Sequence, residues 1–284
     1  MSLAVALLVS GIPARAQDAG TLRERHAALR AALAENAFGR PLHVESSHHA
    51  GNHRGGIYAV LQHPFERVAA ALRSAAQWCG VLIVQANVKN CEAPGGAGTL
   101  SLFVARRPAD EPERAHRIDF SYRVPAAAAD YLHVTLDSPE GPFGTTDYRI
   151  RFEAVPVEPG RTFLHLGYAY ALHGAARMGM KVYLASSGRD KVGFSIVDRT
   201  SDGGPVYVGG VRGVVERNTM RYYLALEAYL DTLDVPVARR MEERLRAFHA
   251  GLERYPRQLH ELELAEYLNI KRADASRVFK SAIN

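Results

Sequence analysis

Arg217 and Arg221, in "VVERNTMRYYLALEAYL", are four residues apart and share one face of any helix built there. Two guanidinium groups side by side can hold a carboxylate or phosphate with paired hydrogen bonds. Tyr222 follows them, and Tyr168 and Tyr170 lie in "FLHLGYAYAL". Phenol hydroxyls can orient a ligand while their rings pack against it. These five residues form the candidate ligand-binding set. The competing reading makes the tyrosines core, and neutralises the arginines in an ion-pair network with Arg189, Asp190 and Glu216. Lys191 and Arg212 stand beside that network.

Other chemistry is sparse. His48, His49 and His53 in "SHHAGNH" could ligate zinc or copper. The plainer reading is a solvated turn, and no metal is expected. "GFSIV" at 193–197 breaks the G-x-S-x-G nucleophile pattern at its last position. There is no H-E-x-x-H and no phosphate-binding loop, and "GGAG" and "GGPVYVGG" lack dinucleotide spacing. No cofactor is expected. An acid or base for catalysis would have to come from Asp190, Glu216 or His173.

The chain has 284 residues, 47% hydrophobic and 23% charged, with a net charge of +5. That is globular composition. Its basic residues are interleaved with acids, as in "RRMEERLRAFHAGLERYPR", so a nucleic-acid surface is not expected. "LAVALLVSGIPARA" pairs a short apolar run with the small-x-small tripeptide Ala14-Arg15-Ala16. This predicts a signal peptide over residues 1–16, cleaved after Ala16, and a periplasmic mature protein. In an oxidising compartment the only two cysteines, Cys79 and Cys91, are expected to form a disulfide. It would close a loop of about a dozen residues and contribute about 3 kcal/mol. Two buried free thiols are the alternative.

The elements that must position these residues follow from periodicity. Residues 18–40 predict one helix. Short strands are expected near 42–46 and 56–61, then a helix opened by Pro64 and running to Cys79. "GVLIVQANVKNC" predicts a strand of roughly eight residues, so the disulfide would staple a helix end to the far end of the next strand. "TLSLFVARR", "AHRIDFSYRV", "YLHVTLDSP", "TTDYRIRFEAVPV" and "RTFLHLGYAYALH" alternate as an antiparallel meander. Tyr148, Ile150, Phe152 and Ala154 are expected on the buried face, and Arg149, Arg151 and Glu153 towards water. A helix is expected near 175–187, then two last strands in "RDKVGFSIVD" and "GGPVYVGGV". A long helix to residue 233 carries Val215, Thr219, Tyr222, Leu226, Tyr229 and Leu233 on one stripe.

Strand, helix, long meander, then a long helix resembles the START-like (SRPBCC) superfamily over residues 42–233. The resemblance is carried by "IYAVLQHPFERVAAALRSAAQWC", the later strands and "GGVRGVVERNTMRYYLALEAYL". The stretch from "YLASSGRDKVGFSIV" to "GGPVYVGGVRGVVERNTMRYYLALEAYL" is similar to exported proteobacterial members without an assigned role. The resemblance implies an α+β helix-grip fold, in which a curved antiparallel sheet wraps around a long C-terminal helix. An N-terminal helical segment (17–41) and a helical C-terminal appendage (234–284) would be additions. It also implies a cavity between sheet and helix for an apolar or amphipathic ligand, a lipid before other hydrophobic small molecules. That ligand would be carried or sensed, with transient membrane contact. A cyclase- or hydrolase-type enzyme in the same cavity, or a partner-binding structural protein, are the alternatives that the fold leaves open.

Overall fold

The computed structural model describes residues 18–95, 98–186 and 188–281, the last five of these by backbone alone. The proposed signal peptide and Ser187 lie outside the described residues, as do Gly96 and Ala97 of the turn after Cys91.

The described residues begin with α1 (Ala19–Ala28) and α2 (Arg30–Ala34), two helices where the sequence predicts one. Asp18 starts α1 by accepting the Thr21 amide at 2.8 Å. A hairpin follows, β1 (Leu42–His49) and β2 (Asn52–Leu61), then α3 (Phe65–Ala71) and α4 (Ala75–Leu82). The meander is β3 (Val88–Glu92), β4 (Thr99–Val104), β5 (His116–Ala128), β6 (Tyr131–Glu140), β7 (Thr145–Glu158) and β8 (Arg161–Leu172). Then come α5 (Gly174–Ala185), β9 (Ile196–Arg199), β10 (Pro205–Tyr207) and the long α6 (Gly210–Asp231). The chain ends in α7 (Val237–Glu253), α8 (Pro256–Leu259) and α9 (Leu264–Ser281).

Eight strands form one antiparallel sheet in the order β1-β2-β8-β7-β6-β5-β4-β3. Its concave face presents Ile57, Leu132, Ile150, Phe152 and Leu164, none more than 1% exposed, to α6. The fold is therefore α+β and helix-grip, with additional helices. The approach of α6 is closest at Gly55, where a side chain would collide with Val215 and Thr219. Each large apolar side chain buried in such a core contributes roughly 1.5–3 kcal/mol.

Four local expectations are corrected. The helix opened by Pro64 breaks after Ala71. Ser74 then starts α4 with a capping box, its hydroxyl accepting the Gln77 amide and the Gln77 side chain accepting the Ser74 amide. The apolar run 81–84 ends α4 at Leu82 and turns through Ile83 and Val84, so β3 is a shorter strand. Strands β9 and β10 form a separate two-stranded ribbon, because β2 already occupies the free edge of β8. Glu153, expected towards water, is 4% exposed. Helix α1 covers that part of the convex face with Leu22, packing in a second core with Phe163 and Val155. There Glu153 accepts the Tyr131 hydroxyl at 2.5 Å and lies 3.2 Å from His165 Nδ1.

Cys79 and Cys91 are bonded, with Cα atoms 5.4 Å apart, joining α4 to β3. Trp78 packs edge-on to Phe152 and donates to the Leu72 carbonyl at 3.0 Å. The C-terminal helices share the main core through Leu245, Phe248, Tyr267 and Leu268. Polar locks hold α9: Tyr267 donates to the Val84 carbonyl at 2.6 Å, and buried Lys89 pairs with Asp274 at 3.2 Å.

Candidate functional site

A half-open pocket of about 320 Å³ lies where α5, the β1–β2 turn, the end of β8 and the start of α6 meet. Leu172, Met180, Leu184 and Val211 give it an apolar lining, and Arg177 and Lys181 of α5 bring cations. His48 and His53 come from the hairpin. The turn is tight: Ala50 and Gly51 both have positive φ. At Gly51 a Cβ would sit 3.0 Å from the Leu172 carbonyl, so glycine lets the turn close against β8. A second hollow of about 350 Å³ lies between the start of α3 and the β7–β8 turn, around Pro64 and Gly160, and is more open to solvent. None of the predicted site residues, Tyr168, Tyr170, Arg217, Arg221, Tyr222, Arg189, Asp190 and Glu216, lines either pocket.

The space expected to form a cavity along the middle of α6 is filled by tyrosines. Tyr168 donates to the Tyr148 hydroxyl at 2.7 Å, and the Tyr148 and Tyr222 hydroxyls lie 3.2 Å apart. The Tyr168 ring centroid is 5.1 Å from that of Tyr222 and 5.5 Å from that of Tyr170. Burial pushes the pKa of Tyr148, Tyr168 and Tyr222 well up, so all three stay neutral. The α5 pocket described above borders the N-terminal end of α6 through Val211.

Tyr170 differs from its neighbours. Its hydroxyl is buried and has no hydrogen-bond partner among the described residues. Its ring lies 5.4 Å from that of His53, whose Nδ1 is also buried and unpartnered among them. Burial, reinforced by His48, lowers the His53 pKa, which keeps the imidazole neutral at pH 7.

Arg217 is 2% exposed. It donates to the Val192 carbonyl at 3.1 Å and to the Tyr183 hydroxyl of α5 at 3.4 Å. Burial pulls its pKa below the ordinary guanidinium value. Arg221, one turn on, pairs with Glu261 at 2.6 Å, and Lys191 reaches the same carboxylate at 3.5 Å. Burial works to raise the Glu261 pKa, but Arg221, Lys191 and Arg217 together hold it below the usual value. Among the described residues no carboxylate pairs with Arg217. The two arginines do not form a clamp: Arg221 pairs directly with Glu261, whereas Arg217 makes no ion pair and feels the Glu261 charge only from beyond contact.

The expected ion-pair network is not assembled. Arg189 and Asp190 pair with each other at 3.7 Å on the surface. Glu216 is fully buried and accepts four hydrogen bonds, from the Ser46 and Ser195 hydroxyls and the Phe194 and Ser195 amides, at 2.5–2.8 Å. Arg212 reaches Ser46 at 3.1 Å. Glu216 therefore pins the 193–195 loop and β1 to α6. Of the candidate catalytic groups, Glu216 is saturated, Asp190 is on the surface and His173 is the exposed N-cap of α5. No group of three or more histidine, cysteine or acidic residues among the described residues is placed to hold a metal. His53, missed as a site residue, stood in the histidine cluster; its pairing with Tyr170 follows only from the β2–β8 register.

No family model matches the sequence, and no curated protein matches it. Among solved structures the chain is similar to human StAR-related lipid transfer protein 5, at 12% identity over 75% of this chain and 94% of that one, with a TM-score of 0.35. It is similar to the Zhui aromatase/cyclase from a Streptomyces species, at 14% identity over 76% and 96%, with a TM-score of 0.32. A START superfamily protein from Mycobacterium smegmatis aligns at 14% identity over 47% and 92%, with a TM-score of 0.31. The helix-grip architecture stands on the strand order and the placement of α6.

Proposed function

We propose that this chain is a binding protein that holds a small apolar or amphipathic molecule, of lipid type, in the pocket beneath α5, and carries or senses it without transforming it. The observation that carries this reading is the pocket and its cover. The pocket's volume falls at the lower end of the range for small-molecule sites, and its lining is mainly apolar with a few polar groups. Helix α5 contributes Met180 and Leu184 to it, yet has no fully buried residue of its own. A lightly packed element of this kind opens at low free-energy cost, as an entry gate requires.

Export and periplasmic residence belong to the same proposal, supported by the N-terminal "LAVALLVSGIPARA" and by the disulfide geometry. So does transient contact with a membrane surface. Met178 and Val182 on α5 are 62% and 61% exposed, and Arg177 and Lys181 lie beside them in the chain.

The test is uptake of a fluorescent fatty-acid probe by the full chain and by a Leu172→Trp variant that fills the pocket. Saturable one-to-one uptake, lost in the variant while its far-ultraviolet spectrum is kept, supports the reading. Uptake unchanged by filling the pocket contradicts it.

A further inference from the structure

We infer that the inner wall of the α5 pocket is an anion subsite, and that the bound molecule is a single-chain amphiphile ending in a carboxylate, with Arg217, Tyr170 and His53 as its polar partners. This rests on the binding reading above and names its ligand class.

Three observations converge. First, Arg217 is a buried cation whose hydrogen bonds go to a carbonyl and a phenol, neither of which carries charge. Burying a guanidinium without a directly paired anion is costly; Glu261 acts on Arg217 only from beyond contact, and a bound anion would offset the remaining cost. Its neighbour Arg221 shows the usual solution, a carboxylate at 2.6 Å. Second, Tyr170 and His53 are 3% and 7% exposed, and the Tyr170 hydroxyl and His53 Nδ1 lack partners among the described residues. Unsatisfied buried polar atoms are few in folded proteins and point to a missing partner. Third, these groups adjoin one another. His53 lines the pocket; Tyr170, its cross-strand partner, does not line it but holds its ring 5.4 Å from the imidazole, and the Arg217 charge acts on the Tyr170 hydroxyl. Arg217 also bonds Tyr183, whose neighbour Leu184 lines the pocket. Helix α6 starts at the same wall with Val211, and no side chain caps it. Its N-terminal dipole adds to the preference for a negative group.

A carboxylate offers two acceptor oxygens, enough for the guanidinium and the phenol hydroxyl. The apolar tail would then run past Leu172, Met180 and Leu184 towards the mouth, where Arg177 and Lys181 stand. Glu261 is the one acid paired with these neighbouring cations among the described residues, and its engagement by Arg221 and Lys191 leaves Arg217 for the ligand.

The experiment is calorimetric titration of the full chain with decanoate, decan-1-ol and methyl decanoate, repeated on Tyr170→Phe and Arg217→Gln. The expected result is decanoate binding about tenfold or more tighter than the two neutral probes. Tyr170→Phe should reduce that preference severalfold. Arg217→Gln should abolish the preference; if that variant does not fold, Tyr170→Phe alone decides. Equal affinity for all three probes, or a preference untouched by Tyr170→Phe, overturns the anion subsite and leaves the pocket reading standing. Failure of all three to bind overturns both.

Discussion

Arg217 and Arg221 sit one turn apart on α6, and the kinds of partner they have decide their roles. Arg221 is answered by Glu261 from the C-terminal segment, a structural pair. Arg217 is answered by neutral oxygens only. Glu216 beside them is a saturated carboxylate, so it holds structure and does not serve a substrate. Its loss would remove the acceptor of two half-buried hydroxyls and two amides. Glu216→Ala is expected to cost about 3–5 kcal/mol in urea unfolding. A loss below about 1 kcal/mol would show that water replaces the carboxylate. At the disulfide, Cys79→Ala with Cys91→Ala is expected to lower unfolding free energy by about 3 kcal/mol, measured by denaturant titration under non-reducing conditions. Free-thiol counting on the denatured, unreduced wild-type chain should find no reactive thiol. Two would contradict the staple.

At the scale of elements, the contact between α6 and β2 sets the fold, and Gly55 is its tightest point. Gly55→Val would force α6 away from the sheet. It is expected to destabilise by about 2–3 kcal/mol, read as a drop in thermal midpoint, whereas Gly95→Val, with open space around it, should leave the midpoint within a degree or two. Similar shifts for the two variants would contradict the packing account. Much of this scale was legible in the sequence. Alternation put Tyr148, Ile150, Phe152 and Ala154 on the buried face, and all four are buried. Leu164, Leu166, Tyr168 and Tyr170 likewise share the concave side. The Cys79–Cys91 junction was legible from spacing. What periodicity could not carry was the partner of each element. Glu153 alternates as a water-facing residue, and only the docking of α1 buries it. The run 81–84 is rich in β-branched residues, yet α4, started by the Ser74 capping box, extends through Leu82 and the rest of the run turns before β3. The pocket was expected along α6. Tyr168 and Tyr222, read as ligand contacts, pack there instead, their hydroxyls satisfied through that of Tyr148. Nor does any sequence signal show that Arg221 finds an acid and Arg217 does not.

For the whole molecule, several histidines make stability depend on pH. His26, His43, His53 and His133 all have pKa values below the ordinary 6.5, in each case chiefly because burial disfavours the imidazolium. In the unfolded chain they regain protons near pH 6.5. The unfolded state therefore binds more protons below that pH, and stability must fall as pH drops through about 6.5. Each histidine contributes at most about 1.4 kcal/mol per pH unit. Calorimetric midpoints should fall from about pH 7.5 to about pH 5.5; a flat or rising midpoint would contradict this assignment. The C-terminal helices enter the same balance. Burial lowers the Lys271 pKa to about 8 at the contact between α9 and β3.

The central claim is that the α5 pocket carries a lipid-like molecule with an acidic head. The most direct measurement is native mass spectrometry of the chain purified from its own host without detergent, followed by organic extraction and lipid analysis. The expected result is one stoichiometric adduct that extracts as a single-chain carboxylic acid, is lost in Arg217→Gln and is reduced in Tyr170→Phe. A bare mass, with no adduct formed on adding decanoate, would contradict it.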